Sequence, residues 1–299
     1  MNTKATIFDK NSDTCPLCES FEISCLYTIT KYADPFEIYE CKNCSFQFMN
    51  PPFSDDYIIN LYSKDYYQGS ANYSYHDERK IEKYANAVWK KRVEKIHSIV
   101  PEGNFLDIGC SFGGLLKNAE KYYTPYGIEV SPYASEHAKK TFGSNIHLGT
   151  IETHPFPKGH FSVITMIELL EHVKEPANFL QECYNLLQPG GLLLIQTANM
   201  AGFQAQWHKK NYAYYMPGHL SYFSNTNISY LLKKIGFIKT KFFYPVEFGL
   251  IPKLKKSSGS FHDLWDYRHW FRISWYHFKS KLFFGEKRLT SSMVLYSFK

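Results

Sequence analysis

The sequence predicts a doubly wound α/β fold with a small cysteine-bounded module at its N-terminus. Three observations lead there. Apolar segments of strand length alternate with segments of helical period between residues 104 and 197. Four cysteines stand as two C-x-x-C pairs within the first 44 residues. A chain of 299 residues, 44% apolar and 18% aromatic, has material for one domain of about 200 residues plus a satellite.

The chain begins MNTKATIFDKNSDTC, which is polar and lacks the apolar stretch of a secretory signal, so the expected address is the cytoplasm. That compartment keeps thiols reduced, which makes the seven cysteines metal ligands or buried thiols rather than disulfides. Cys15-Pro-Leu-Cys18 and Cys41-Lys-Asn-Cys44 form two knuckles separated by 22 residues. Each knuckle offers two thiolates from a tight turn, and four complete a tetrahedron, so Cys15, Cys18, Cys41 and Cys44 are expected to hold structural zinc. A segment this small cannot bury a core of its own, and metal binding would supply its folding free energy. An iron site and a redox pair are the alternatives. Cys25, Cys110 and Cys183 fall outside the pattern and are expected to be small buried residues. The module holds Lys31 and Lys42 against Glu19, Glu22, Asp34, Glu37 and Glu40, a balance that disfavours phosphate backbones.

A polar, tyrosine-rich stretch from Met49 to Arg79 reads as a connector, dividing residues 1–60 (ribbon and connector) from a main domain over 75–299. Ile81, Tyr84, Ala85, Val88 and Ile96 recur at helical spacing up to Pro101-Glu102-Gly103. Strands follow at Asn104–Ile108, Tyr126–Glu129, Asn145–Leu148, Phe161–Ile167 and Leu192–Thr197. Helices are expected from about Gly113, after Ser131-Pro132, and over 176–187. The alternation implies a parallel sheet covered on both faces. A helix over Asn225–Ile235, stopped by Gly236, leads to strand Phe237–Tyr244, and Met293–Phe298 closes the sheet.

In residues 105 to 114, FLDIGCSFGG, an apolar strand ends in a turn of small residues that enters a helix. Such a turn lets the backbone approach a ligand, and the helix N-terminus favours electronegative groups. Glu129 ends the next strand 20 residues after Gly109, the spacing at which an acid accepts ribose hydroxyls. A nucleoside ligand follows. Asp107 precedes the first glycine where dinucleotide loops carry an apolar residue, which argues against NAD.

FLDIGCSFGGLL, YGIEVSP, FSVITMIELLEHV, LLQPGGLLLIQTAN and HLSYFSNTNISYLLKKIGF together resemble the successive motifs of class I methyltransferases dependent on S-adenosylmethionine (SAM). They stand in the family's order and cover about residues 80 to 245. The nearest likeness is to ubiquinone-pathway O-methyltransferases and bacterial glycan-cluster methyltransferases. The resemblance implies a Rossmann-like, seven-stranded sheet. It implies that Asp107, Gly109, Cys110, Ser111 and Gly113 line the methionine and ribose portions, that Glu129 and Val130 meet the ribose, that Ile151 and Glu152 flank the adenine, and that Met166 lies near the sulfonium. Ser111 departs from the family's usual glycine. Similar N-terminal ribbons precede this domain in sugar C-methyltransferases, whose long C-terminal half is lacking here.

Glu168, Glu171 and His172 stand at i, i+3 and i+4, so a helical segment would put all three on one face at the ligand end of the sheet. With His219 from Pro217-Gly218-His219, they form a candidate divalent-cation site. The run resembles the Glu-x-x-Glu-His of metal-dependent small-RNA 2′-O-methyltransferases. A hydroxyl is a poor nucleophile until a base or a metal lowers its proton affinity. Glu168, His172 and His219 are therefore the candidate catalytic residues, as metal ligands or as acid and base; a structural turn is the remaining reading.

An aromatic and basic insert occupies about residues 249–288. Trp265, Trp270 and Trp275 stand with Leu264, Tyr267, Phe271, Phe278 and Leu282 at near-helical spacing, and Arg268, Arg272 and Lys279 mark another face. From residue 253 onward it holds nine Lys/Arg against three Asp/Glu, which equals the whole net charge of +6. A general nucleic-acid affinity is thus not indicated. The insert reads as a lid or dimer interface, with contact at the inner face of a membrane left open. The expected function is SAM-dependent methylation of an oxygen on a small, glycan or lipid-linked acceptor. The alternatives are C- or N-methylation of a nucleotide-linked sugar, and an RNA-binding or RNA-methylating ribbon protein.

Overall fold

The computed structural model describes residues 7–61, 77–284 and 287–299. Its central element is a seven-stranded sheet. Strands β1 (Ile23–Ile29), β2 (Phe36–Cys41) and β3 (Gln47–Met49) belong to the N-terminal module; β4 (Asn104–Ile108), β5 (Thr124–Glu129), β6 (Ile146–Leu148), β7 (Phe161–Ile167) and β8 (Leu187–Ala198) follow. After β9 (Ser221–Tyr222) come β10 (Lys239–Phe243), the short pair β11 (Phe283–Phe284) and β12 (Lys287–Arg288), and β13 (Ser292–Phe298). The order across the large sheet is β10-β13-β8-β7-β4-β5-β6, with β4 to β8 parallel and β13 antiparallel to both its neighbours. The expected doubly wound, seven-stranded Rossmann-like sheet is borne out.

Alternation along the strands divides the core in two. Leu106, Ile108, Leu193, Ile195, Met293 and Leu295 face helices Pro176–Leu186 and Asn225–Ile235. Phe105, Leu192, Leu194, Val294 and Tyr296 face helices Glu82–His97, Gly114–Ala119 and Pro132–Phe142. Helix Asn225–Ile235 starts at a capping box, in which the Ser224 hydroxyl accepts from the Asn227 amide and the Asn227 side chain accepts from the Ser224 amide.

Several expectations need correction. β8 starts at Leu187, because Gln188-Pro189-Gly190-Gly191 is absorbed as a register shift opposite Phe161–Val163. Part of the expected connector is ordered: helix Asp55–Leu61 follows Phe53, which is fully buried and stacks on Phe8 and Tyr57. The remainder of that connector, including the expected boundary between residues 60 and 75, lies outside the described residues. Cys25 is exposed, since it sits at an irregularity of β1 with only β2 beside it, whereas Cys110 and Cys183 are buried as expected.

The cysteine module is joined to the main domain through a shared sheet. β3 pairs with β9, which extends the ribbon to the order β1-β2-β3-β9. Cys15, Leu17, Cys41, Phe46 and Phe48 belong to the same buried cluster as one face of the large sheet, and Phe46 packs 5.1 Å from Phe223. Residues too few to form a core alone thus borrow one from the larger domain.

Candidate active site

A cleft of about 1320 Å³ opens at the carboxyl ends of the central parallel strands, where ligands gather in open α/β sheets. At one end lies the turn after β4. Gly109, Ser111 and Gly113 all adopt positive φ, at 75°, 48° and 83°. Glycine tolerates that region; a serine does so at a cost of about 1–2 kcal/mol. The Ser111 amide is held in compensation, donating to Glu129 Oε2 at 2.8 Å, while Glu129 Oε1 accepts from the Ser131 amide at 2.8 Å. Two backbone donors therefore fix the Glu129 carboxylate, although burial still raises its pKa. Asp107 is buried, accepts from Thr165 Oγ1 at 2.6 Å, and is pushed up to about 7 by burial.

Asp107, Gly109, Cys110, Ser111, Gly113, Glu129, Val130, Ile151 and Glu152 all line the cleft. Met166 does not. It packs into the core beneath the sheet; Ile167 lines the cleft instead, because neighbours on a strand point to opposite faces, and Glu168 follows past the strand's end with φ 52°. Ser111 Oγ is a buried hydroxyl with no hydrogen-bond partner among the described residues, an orphan that a polar ligand atom would satisfy. Sequence reasoning missed Arg79, which also lines this end, stacked 3.7 Å from the Phe112 ring centroid and held by Asp77.

At the other end Glu168, Glu171, His172 and His219 meet. The expected helix is absent: Glu168 has φ 52°, and only Leu170–His172 form a 3-10 turn. The coming together of these residues is tertiary, since His219 arrives on the loop before β9. One ligand atom from each of Glu171, His172 and His219 lies within 4.8 Å of the others, a set that does not include Glu168. His172 Nδ1 lies 2.7 Å from the Gly218 carbonyl, and His219 Nδ1 lies 2.9 Å from the Tyr214 carbonyl. A carbonyl only accepts, so each Nδ1 carries the proton and each Nε2 is an acceptor. Burial lowers the pKa of both rings and keeps them neutral, His219 strongly so with His172 beside it. Glu171 is buried and accepts from Tyr214 Oη at 2.6 Å and Thr197 Oγ1 at 3.0 Å. Two imidazole acceptors and an oriented carboxylate form a donor set of the kind that binds divalent cations, with the outer partners that such ligands use.

Glu168 is not one of this set but lies beside Glu171, exposed to the cleft, where its recessed position and the Glu171 charge raise its carboxyl to about 8. Its Oε1 accepts from Gln196 Nε2 at 2.7 Å. Gln196 Oε1 accepts from Arg92 Nη2 at 2.5 Å, and Arg92 is paired with Glu247. The readable signal for Arg92 was an arginine on the apolar face of its helix, four residues after Val88 and four before Ile96. Lys253, also missed, enters from the insert on helix Ile251–Ser257.

The four module cysteines also converge. Cys15 Sγ lies 3.7 Å from Cys44 Sγ and Cys18 Sγ 3.6 Å from Cys41 Sγ, with all four within 4.8 Å. The sulfur spacing of a zinc tetrahedron is about 3.8 Å, from a Zn–S distance of about 2.3 Å. The insert divides in two: helix Ile251–Ser257 packs on Glu82–His97, while Leu264, Trp265, Phe271, Trp275 and Phe278 on and before helix Arg268–Lys279 remain exposed. No helix among the described residues is long and apolar enough to cross a membrane.

Residues 78–241, more than half of the chain, match the profile of a family described as a methyltransferase domain. The ubiquinone biosynthesis O-methyltransferase of Parvibaculum lavamentivorans is 38% identical over 104 residues, 32% of this chain and 40% of that one. Its counterpart from Vibrio cholerae is 32% identical over 123 residues, 38% of this chain and 45% of that one. The chain thus spans less than half the length of these relatives. Among solved structures, a SAM-dependent methyltransferase from Archaeoglobus fulgidus is 16% identical, with 72% of this chain and 94% of that one covered at a TM-score of 0.49. For geranyl diphosphate C-methyltransferase from Streptomyces coelicolor the identity is 12%, the coverage 69% and 78%, and the TM-score 0.48.

Proposed function

The chain belongs to the class I methyltransferase family, and from that premise we propose that it transfers a methyl group from SAM to an oxygen of a small, glycan or lipid-linked acceptor. The observation that carries this reading is the single cleft, which joins the glycine-containing turn and Glu129 to the Glu171, His172 and His219 group.

The residues fit the cofactor. The orphaned Ser111 hydroxyl, the amides of the left-handed turn and the fixed Glu129 carboxylate suit a nucleoside bearing an amino acid. When bound, SAM supplies a methyl group activated by its sulfonium. The chain's own task is to align an acceptor hydroxyl and receive its proton. Glu171, His172 and His219 would hold a divalent cation, which would lower the proton affinity of that hydroxyl. Tyr214 and Thr197 orient the carboxylate, and the Gly218 and Tyr214 carbonyls fix the tautomers. If no cation binds, the Nε2 of His172 or of His219 would take the proton, and His172, whose pKa is lowered less, is the stronger base. The four module cysteines fit structural zinc by their spacing, which would fasten the ribbon to β9.

Calorimetric titration with S-adenosylhomocysteine (SAH), using NAD as the comparison ligand, tests the central claim. Saturable binding of SAH alone supports it; absence of binding to zinc-loaded protein sinks it. Electron paramagnetic resonance with Mn²⁺, which avoids thiolates, tests the second site. His219→Ala should weaken Mn²⁺ binding, and unchanged binding would remove His219 as a ligand.

A further inference from the structure

One wall of the cleft carries more positive charge than methyl transfer uses. Arg92, Lys253 and Lys256 all line it. The lysines are held there by packing: their helix lies along Glu82–His97, and a Cβ on Gly259, just beyond it, would stand 2.9 Å from the Tyr84 ring. Arg92 is neutralised by Glu247, yet its Nη1 is buried with no hydrogen-bond partner among the described residues. Lys253 is half-buried and forms no ion pair among the described residues; burial, Arg92 and Lys256 outweigh the opposing charges of Glu168 and Glu247 and pull its pKa down to about 8. Lys256 lies over the Trp89 ring, 5.4 Å from its centroid.

A recessed cation costs free energy unless an anion answers it, and like charges beside it add to the cost. The cation-bearing wall is compensated once an anion enters, which marks it as a binding feature rather than a folding one. We propose that Lys253, with Lys256 and the unpartnered Nη1 of Arg92, forms a subsite for an anionic group of the acceptor, a phosphate or a carboxylate. This rests on the reading of the cleft as a methyl-transfer site. Lys253 supplies a mobile point charge and Arg92 a fixed donor. The anion is anchored on the insert side, which leaves the hydroxyl free to reach Glu171 and His219. The insert, which the methyltransferase motifs do not include, would thereby set the acceptor class.

The test is calorimetry on SAH-saturated protein, with inorganic pyrophosphate and malonate as probes at about 0.15 M salt. Saturable binding of either anion is expected, weakened roughly tenfold in Lys253→Met and retained in Lys253→Arg. It should fade as pH rises through about 8. Preference for pyrophosphate identifies a phosphorylated acceptor, and preference for malonate a carboxylated one. Absence of binding, or equal binding by wild type and Lys253→Met, overturns the subsite. So does loss of SAH affinity in Lys253→Met without anion binding, which would assign the lysine to the cofactor's own carboxylate. Failure of the wild type to bind SAH at all would instead overturn the cofactor reading.

Discussion

Replacing Arg92 by methionine isolates a charge pair that, among the described residues, is the one fully shut in the core. Both side chains are shut off from water, at 1% exposure for Arg92 and 0% for Glu247. The pair is doubly bonded, with Arg92 Nε 2.5 Å from Oε1 and Nη2 3.2 Å from Oε2. Methionine keeps the apolar stem and the helix propensity, so the main loss is the partner of a buried carboxylate. Breaking such a pair from one side costs about 3–5 kcal/mol. With a urea dependence of about 3 kcal/mol per molar, the midpoint of unfolding should fall by roughly 1–1.7 M at constant zinc. The double variant Arg92→Met/Glu247→Leu should regain most of the loss, because no charge is left buried alone. A functional readout accompanies this. Gln196 loses its Arg92 donor and with it the restraint on Glu168, so methyl transfer should fall further than SAH affinity. A single-variant cost below about 1 kcal/mol, or a double variant no better than the single, would refute the argument.

The Asp107 carboxyl is raised from 3.8 to about 7 in the fold, so the native chain holds a proton that the unfolded chain releases near pH 4. The stability this contributes is full below about pH 4 and is lost as pH rises through 7. In ligand-free protein Asp107→Asn should therefore gain on wild type across that window by on the order of 4 kcal/mol, measured by urea unfolding at several pH values; a constant difference would contradict the shift. A Cβ at Gly127 would stand 2.6 Å from Cys110 Sγ and 2.9 Å from Ile146 Cδ1. Gly127→Ala should cost about 1–3 kcal/mol and weaken SAH binding by displacing the turn; unchanged calorimetric affinity would disconnect the strand from the site. Cys15→Ser should abolish stoichiometric zinc in metal analysis and lower the melting temperature, whereas full zinc content would exclude the tetrathiolate.

Much of this architecture is readable from order along the chain. Near-continuous buried runs mark β4, β5 and β7 because each must bury both faces, and helix Asn225–Ile235 is bounded by its own cap and by Gly236. The turn after β4, the acid at Glu129 and the paired cysteines are local patterns whose chemistry depends on spacing alone. Helical spacing misled at Glu168, where a left-handed residue breaks the run before it starts; Met166, placed at the site by resemblance alone, has its side chain in the core.

What local pattern could not supply is the meeting of distant segments. His219 reaches His172, with ring centroids 4.8 Å apart, because β9 adds itself to the ribbon and the Leu220 amide bonds the Glu171 carbonyl at 2.7 Å. Arg92 reaches Gln196 and Glu247 across more than a hundred residues. Lys253 enters the cleft only because its helix packs against Glu82–His97. Sequence determined which elements form and which chemistry each carries, since propensity, period and spacing act over a few residues. The tertiary structure decided which charges share one cleft, since burial and pairing are properties of the packed chain.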